Sequence, residues 1–220
     1  MLGPEGEVLA LDAAPRFIAA AREEANESGD ERVRFEVADV EAGVPGEGFD
    51  YAFSRFGTMF FANPVAALRN VREALVPGGR LCAVVWRRKL DNPWLYAPEV
   101  AVKEIVTPDE NSDEPTCGPG PFSMANADTV SDILLNAGFE EVDLLRHDTQ
   151  MLIGRDLDEA VAYVMALGPA GEVIRLAGEE SERHRDELIE VVRGSLTEFE
   201  TPDGVRAQMS SWLISARAPN

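Results

Sequence analysis

Cysteine and histidine are nearly missing from this sequence. It holds two cysteines, Cys82 and Cys117, and two histidines, His147 and His184. So few cysteines build neither a disulfide framework nor a metal cluster, and no spacing of His, Cys and Asp matches a metal site. Cys82 lies in an apolar run and reads as a small core residue. Basic residues are also scarce: Lys and Arg total 20 against 40 Asp and Glu, a formal net charge of −20. Such a field repels phosphate backbones and anionic lipid surfaces, so neither nucleic acid nor membrane is an expected partner. No apolar run reaches the ~18 residues of a membrane span. The opening Met1-Leu2-Gly3-Pro4-Glu5 has no basic start and no apolar stretch, so no secretion signal is expected and a reducing cytoplasm is the default compartment. Internal repeats and low-complexity segments are absent as well. The acids gather at Glu23-Glu24, Asp109 to Glu114 and Glu179-Glu180, and read as solvated surface.

What is present suits a globular protein. A length of 220 residues, 45% of them apolar and 27% charged, fits one domain with a sizeable core, alone or with a small subdomain. Val8 to Leu11 is a short apolar run ending at Asp12, and it reads as a strand buried on both faces. Pro15 opens a helix with Phe17, Ile18, Ala21 and Ala25 on one face, closed by Ser28-Gly29. Val33 to Val37 and Phe49 to Phe53 are the next strands. Only a loop joins them, too short for a parallel crossover, so they are not expected to be neighbours. Asn63-Pro64 caps a helix facing inward through Val65, Leu68, Val71 and Leu75. Pro77-Gly78-Gly79 reads as a sharp turn, and Leu81 to Trp86 as an apolar strand. Strands alternating with helices predict a doubly wound α/β fold, its parallel sheet covered on both faces.

The second half is looser. Arg87 to Gly120 carries five prolines (Pro93, Pro98, Pro108, Pro115, Pro119), one helix around Trp94 to Val106 and an acidic loop. Asn126 caps a helix that Gly138 ends, and Phe139 to Leu145 begins a strand. Asp156 with Glu159 resembles a capping box opening a helix through Leu167. Gly168, Pro169 and Gly171 interrupt it. A long helix is predicted from about Glu179 to Thr197, and a last strand over Gln208 to Ala218.

Ligands of such sheets bind at the carboxyl ends of the strands. Asp12, Asp39 and Ser54-Arg55 lie there. A carboxylate can accept hydrogen bonds from both hydroxyls of a ribose, or from an exocyclic amino group. An Asp at a strand end is also a common cap or turn former, so each position alone leaves both readings open.

Taken in order, four segments resemble class I S-adenosylmethionine-dependent methyltransferases, of the small-molecule, quinone-biosynthesis-like (methyltransferase type 11) branch. Glu7 to Pro15 resembles the second strand of that family, and Phe35 to Asp39 the third. Gly48 to Gly57 resembles the fourth strand, and Leu75-Val76-Pro77-Gly78-Gly79-Arg80-Leu81 the turn into the fifth. The resemblance is clear over residues 1 to about 90 and weaker beyond, through Gly120-Pro121-Phe122-Ser123 and Ala137-Gly138-Phe139. It implies a Rossmann-like sheet, S-adenosylmethionine as cofactor and S-adenosylhomocysteine as product. By resemblance, Asp12 accepts from the ribose and Asp39 from the adenine amino group, with the Val40 N–H near the ring. Ser54 and Arg55 would border the methionine moiety and the transferring methyl. Asp50 and Pro77 to Gly79 read as structural.

The family's first strand and its glycine-rich loop have no counterpart here: Gly3-Pro4-Glu5-Gly6 is only a turn. That strand would lie between the Val8 and Phe49 strands, so either the sequence is incomplete at its N-terminus, which is the favoured expectation, or those two strands close up, or another segment fills the place. Trp86, Asn92, Trp94 and Phe122 are the candidate acceptor-side residues. His147 is a weaker candidate, and His184, between two arginines, reads as surface. No residue is singled out as catalytic, because a base is needed only for some acceptors. Residues 1–154 and 205–220 are expected to form the Rossmann-like domain and 155–204 a helical insertion before the last strand. Residues 88–125 and 155–200 would supply the substrate lid. The expected activity is methyl transfer to a small-molecule acceptor. Two alternatives remain at this point: a noncatalytic relative of the fold acting as an interaction module, and a nicotinamide-binding oxidoreductase, whose cofactor also suits an acid after the second strand. Oligomeric state is left open.

Overall fold

A computed structural model describes residues 3, 5–29, 32–107 and 119–220. Cys117, Pro4, Pro108, Pro115 and the acidic run 109–114 lie outside the described residues. β1 (Val8–Asp12) and β2 (Val33–Val37) pair in parallel, in register from Val8 with Val33 to Asp12 with Val37. α1 (Pro15–Ser28) joins them, and Gly29 closes it in the left-handed region at φ +68°. α1 buries Ile18 but leaves Phe17 55% exposed, against expectation. It rests on β1 and β2, and two strands are too narrow to bury a wider stripe.

The second sheet begins with β3 (Phe49–Arg55). α2 (Pro64–Ala74) leads to β4 (Leu75–Trp86), parallel to β3. After α3 (Pro93–Lys103) and α4 (Ala127–Asn136) come β5 (Glu140–Gly154), then α5 (Leu157–Ala166), α6 (Gly168–Leu176), α7 (Glu179–Arg183) and α8 (Arg185–Leu196). Short β6 (Glu200–Thr201) and long β7 (Gly204–Arg217) end the chain. The order across this sheet is β3-β4-β7-β5, with β6 beside β7, and β7 is antiparallel to both long neighbours. β1 and β3 are not paired with each other. The sheet therefore divides between the Val8 and Phe49 strands: they do not close up, and no described segment fills the place between them.

Four expectations need correction. Pro77-Gly78-Gly79 is a bulge inside β4, not a turn between elements: Phe49 pairs with Leu75, and Tyr51 already pairs with Arg80. Gly78 sits at φ +75°, and a Cβ on Gly79 would stand 2.9 Å from the Val76 carbonyl oxygen, so side chains are excluded there. The long helix is split at His184, whose φ of −105° and ψ of 16° leave the helical region, and Gly168-Pro169 opens α6 instead of merely breaking α5. The larger sheet is not covered on both faces. α2 and α4 bury Leu81, Ala83, Val85, Ile214 and Ala216 on one side. On the other, Tyr51, Phe53 and Leu145 stay 52%, 70% and 60% exposed. The physical reason is that α2 and α4 both lie on the same face, while α1 serves the smaller sheet.

A second core gathers α3, α5, α6 and α8 around Trp94, Val102, Val164, Leu188 and Val192, with Ile153, Val205 and Ala207 from the far ends of β5 and β7. β4 ends at Trp86, opposite Ser211, while β7 extends beyond it to Gly204. The helical layer therefore stands beyond the carboxyl end of β4. Trp86 packs against both cores.

Leu81 is 3% exposed and sits beneath α2 and α4. Leu81→Ala should lower the unfolding free energy by about 2–5 kcal/mol. Phe53→Ser, on the uncovered face, should stay within about 0.5 kcal/mol of the parent. Urea midpoints of the two variants check the contrast, and a large cost at Phe53 would mean that face is buried.

Candidate functional site at the strand ends

β1 and β2 end side by side, and the Ala38 N–H donates to the Asp12 carbonyl at 3.1 Å. The two acids that follow are used alike. Asp12 Oδ1 accepts from the Ala14 N–H at 2.7 Å, and Asp39 Oδ1 from the Glu41 N–H at 2.9 Å. Both are thus turn formers, as their residue type favours. In each, Oδ2 has no hydrogen bond among the described residues, and both side chains are exposed. The Val40 N–H likewise has no acceptor among the described residues. Two carboxylate oxygens on exposed side chains and one amide, all without partners among the described residues, therefore stand near the ends of adjacent parallel strands.

The loop after β2 meets the segment after β3. Glu41 Oε1 accepts from the Ala62 N–H at 2.7 Å, and its Oε2 from the Asn63 N–H at 2.8 Å. Asn63 in turn caps α2 through Ala66. This joins the carboxyl ends of β2 and β3 at one edge of the molecule. There Ser54 is half-buried and Arg55 exposed, and Arg55 has no ion pair among the described residues. Phe56 follows at φ +56°, a strained conformation for a bulky residue. Two contacts hold it: its N–H donates to the Val84 carbonyl at 2.8 Å, and its ring stacks on Trp86 at 4.5 Å between centroids.

From Trp86 an aromatic run continues into the helical layer. Trp86 meets Trp94 edge-on at 6.1 Å, and Trp94 stacks with Tyr163 at 6.3 Å. Trp86 and Phe122 are half-buried, whereas Trp94 is 1% exposed, its indole N–H without a partner among the described residues. Thr58 Oγ1, just past β3, is another buried polar atom without one. The segment bearing Phe122 is stitched down by Ser123 donating to the Met59 carbonyl and by the Trp212 N–H donating to the Ala125 carbonyl. Asn92 is fully buried and clasps β7: its Oδ1 accepts from the Ser210 N–H at 2.8 Å, and its Nδ2 donates to the Ser210 carbonyl at 3.1 Å. His147 is exposed on β5, and His184 is half-buried beside Glu187. No cluster of metal-ligating side chains occurs among the described residues, and no described helix is long and apolar enough to cross a membrane.

Sequence reading missed the polar cluster beside Asn92. Arg87 is 8% exposed; its Nη1 donates to Ser210 Oγ at 2.9 Å and its guanidinium lies 4.7 Å from the Trp212 ring. Ser210 Oγ donates to Asp148 at 2.6 Å. Hydrogen bonds from Arg88, with Arg87 nearby, hold the Asp91 carboxyl below the usual carboxylate range, and Arg146 and Ser210 do the same for Asp148. A polar residue at the end of a buried strand was the available signal, and Arg87 carried it.

A family model described as a methyltransferase domain matches residues 1–113. Aklanonic acid methyltransferase DauC of Streptomyces sp. (strain C5) is 35% identical over 81 residues, covering 36% of this chain and 37% of that protein. A ubiquinone/menaquinone biosynthesis C-methyltransferase, UbiE of Shewanella sp. (strain W3-18-1), is 28% identical over 155 residues, covering 65% of this chain and 60% of that protein. The matches thus span 37% and 60% of the lengths of these relatives. Among solved structures, a putative methyltransferase from Bacillus halodurans C-125 superposes with a TM-score of 0.58 at 18% identity, over 97% of this chain and 84% of that one. A phosphoethanolamine N-methyltransferase 2 of Haemonchus contortus, in complex with phosphomonomethylethanolamine and S-adenosylhomocysteine, gives 0.52 at 15% identity, over 98% and 44%. At these identities the likeness to the solved structures is one of fold.

The lowered carboxyls set a pH dependence. A carboxyl depressed in the folded chain contributes stability that is full above its unfolded value of about 3.9 and is lost as pH falls through the lower folded value. Acidification below about pH 4 should therefore lower the urea midpoint, and Asp91→Asn should lose less over the same interval than the parent. Equal losses would show that Asp91 is not held ionised by its arginines.

Proposed function

The chain belongs to the methyltransferase-domain family, and from that premise we propose that it binds S-adenosylmethionine at the ends of β1, β2 and β3 and methylates a small-molecule acceptor. The observation that carries this reading is the pair of turn carboxylates, Asp12 and Asp39, each with one oxygen committed to its own turn and one free. A ribose diol and an adenine amino group are donors suited to those oxygens. The free Val40 N–H suits a ring nitrogen as acceptor. Arg55 is a cation without a partner among the described residues, and it suits the carboxylate of a methionine moiety. These residues fit the cofactor although no glycine-rich loop stands among them. When bound, S-adenosylmethionine would supply a methyl group already activated by the sulfonium charge. The chain's own residues then have to bind, orient and exclude water. Alignment of acceptor and donor is the main contribution asked of them.

On the acceptor side, Phe56, Trp86, Trp94 and Tyr163 form an aromatic run from the strand ends into the helices. Its half-buried members at the strand ends, Phe56 and Trp86, suit a flat, largely apolar acceptor, with Trp94 buried behind them. The names of the two curated relatives point the same way, one to aklanonic acid and the other to ubiquinone and menaquinone biosynthesis. In this reading residues 155–204, with α3, form the cover over the acceptor, and Phe122 lies at its margin. Asn92 contributes by fixing the start of α3 to β7. The nicotinamide alternative has no support from the family match. A noncatalytic interaction module is favoured by one feature, the unpaired edges of β1 and β3.

Calorimetric titration of S-adenosylhomocysteine into the folded chain tests the reading, with circular dichroism to verify the fold. Micromolar binding is expected, with no heat from NAD. Asp12→Ala and Asp39→Ala should each weaken binding about tenfold or more, since hydrogen bonds to charged groups contribute about 1.5–3 kcal/mol. A folded chain giving no heat with S-adenosylhomocysteine would sink the proposal and leave the interaction module.

A further inference from the structure

The two halves of the candidate site stand on separate sheets. Asp12 ends β1 and Asp39 follows β2, Ser54 and Arg55 belong to β3, and among the described residues no ladder of backbone hydrogen bonds joins the two sheets. Something else has to hold Asp39 at a fixed distance from Arg55. We propose that Glu41 and Asn70 are positioning residues that lock the loop bearing Asp39 and Val40 onto α2. The proposal rests on the cofactor reading above and adds to it the device that aligns the two ends of the site.

The geometry is a double clasp. Glu41 spends both carboxylate oxygens on consecutive backbone amides, those of Ala62 and Asn63, at 2.7 and 2.8 Å. These amides open α2, where a negative charge also meets the positive end of the helix dipole. Six positions into that helix (Pro64–Ala74), Asn70 reaches back. Its Nδ2 donates to the Val40 carbonyl at 2.9 Å and to the Glu41 carbonyl at 3.0 Å, which uses both of its amide hydrogens. Glu41 thus bonds through its carboxylate to the start of α2 and through its carbonyl to the helix interior. Its own N–H donates to Asp39 Oδ1 at 2.9 Å. Asp39 and Glu41 thus form one turn that moves as a unit, and the clasp sets where that unit stands relative to α2. Val40, whose N–H is free, is held by its carbonyl alone. Asn70 spends its amide hydrogens on the loop carbonyls and so acts through the loop, not on a ligand.

The test separates alignment from folding by comparing two ligands. Adenosine needs only the β1–β2 side of the site, while S-adenosylhomocysteine needs both sides. Parent, Asn70→Ala and Glu41→Gln are titrated with each ligand, and hydrogen exchange is followed over residues 38–46 and 61–66. Loss of a clasp bond should weaken S-adenosylhomocysteine by up to about tenfold and adenosine much less. Exchange over 38–46 should quicken, because a loop freed of side-chain anchors opens locally. Glu41→Gln, which keeps one accepting oxygen, should fall between the parent and Asn70→Ala. Equal weakening of both ligands, or unchanged binding with unchanged exchange, would overturn the proposal. Should the parent bind neither ligand, the cofactor reading fails and the positioning role fails with it. The exchange data then still decide the clasp itself, which stands only if residues 38–46 are loosened in Asn70→Ala.

Discussion

Backbone pairing along β4 is the constraint on which this molecule is built. A buried strand must satisfy its N–H and C=O groups on both edges. β4 does so, with β3 parallel on one side and β7 antiparallel on the other. Its inward residues, Leu81, Ala83 and Val85, then fix where α2 and α4 must lie. Where the ladder stops, between β1 and β3, the architecture changes character. The smaller unit is tied on by side chains, Glu41 and Asn70, which bond to backbone groups across the division. Side-chain ties depend on a few particular residues, whereas a ladder accepts many sequences. The same division leaves Tyr51 and Phe53 exposed on a strand whose neighbours are otherwise well packed.

Trp86 transmits the order of β4 to the helical layer. It is the last residue of the strand, and its indole packs against the sheet core and the helical core alike. On one side it holds Phe56 in a backbone conformation that a bulky residue resists. On the other it meets Trp94. Just beyond, Arg87, Asn92, Asp148 and Ser210 tie the start of α3 to β7 and β5 through hydrogen bonds and an ion pair. An apolar contact and a polar clasp side by side make the junction specific as well as stable, since buried polar groups tolerate few arrangements.

The elements that packing alone dictates were legible in the sequence. The strands at Val8, Val33, Phe49 and Leu81 and the caps at Asn63, Asn126 and Asp156 follow from local chemistry, and so does the separation of the Val33 and Phe49 strands. The place where the sheet divides was legible too, through the strand and glycine-rich loop that the sequence lacks, though not whether the place would be closed or filled. Features that depend on distant partners were not. Phe17 carries a helical apolar pattern, yet nothing local says that its support is only two strands wide. His184 breaks a helix that periodicity would continue, because α8 must turn to bring Leu188 and Val192 onto α3 and α5. Glu41 and Asn70 carry no sequence signal at all: an acid in a connecting loop and an asparagine in an amphipathic helix are ordinary until the fold brings them together. Trp94 was read as a candidate contact for an acceptor, and it lies at 1% exposure within a core.

The acids at the strand ends show why local and functional readings need not compete. An aspartate that forms a turn uses one oxygen on its own backbone, and a carboxylate has lone pairs on both. The turn bond at Asp12 or Asp39 therefore subtracts little from what the group can offer a ligand. It also removes a freedom: a carboxylate already anchored through Oδ1 presents Oδ2 in a fixed direction, and less side-chain entropy is lost when a donor arrives. The same reasoning extends along the loop. Asp39 is anchored by Glu41, Glu41 by the amides that open α2, and the loop carbonyls by Asn70. Each bond is modest alone. Arranged in series they convert a flexible connection into a rigid arm, so that residues standing on two unjoined sheets can act as the two ends of one site.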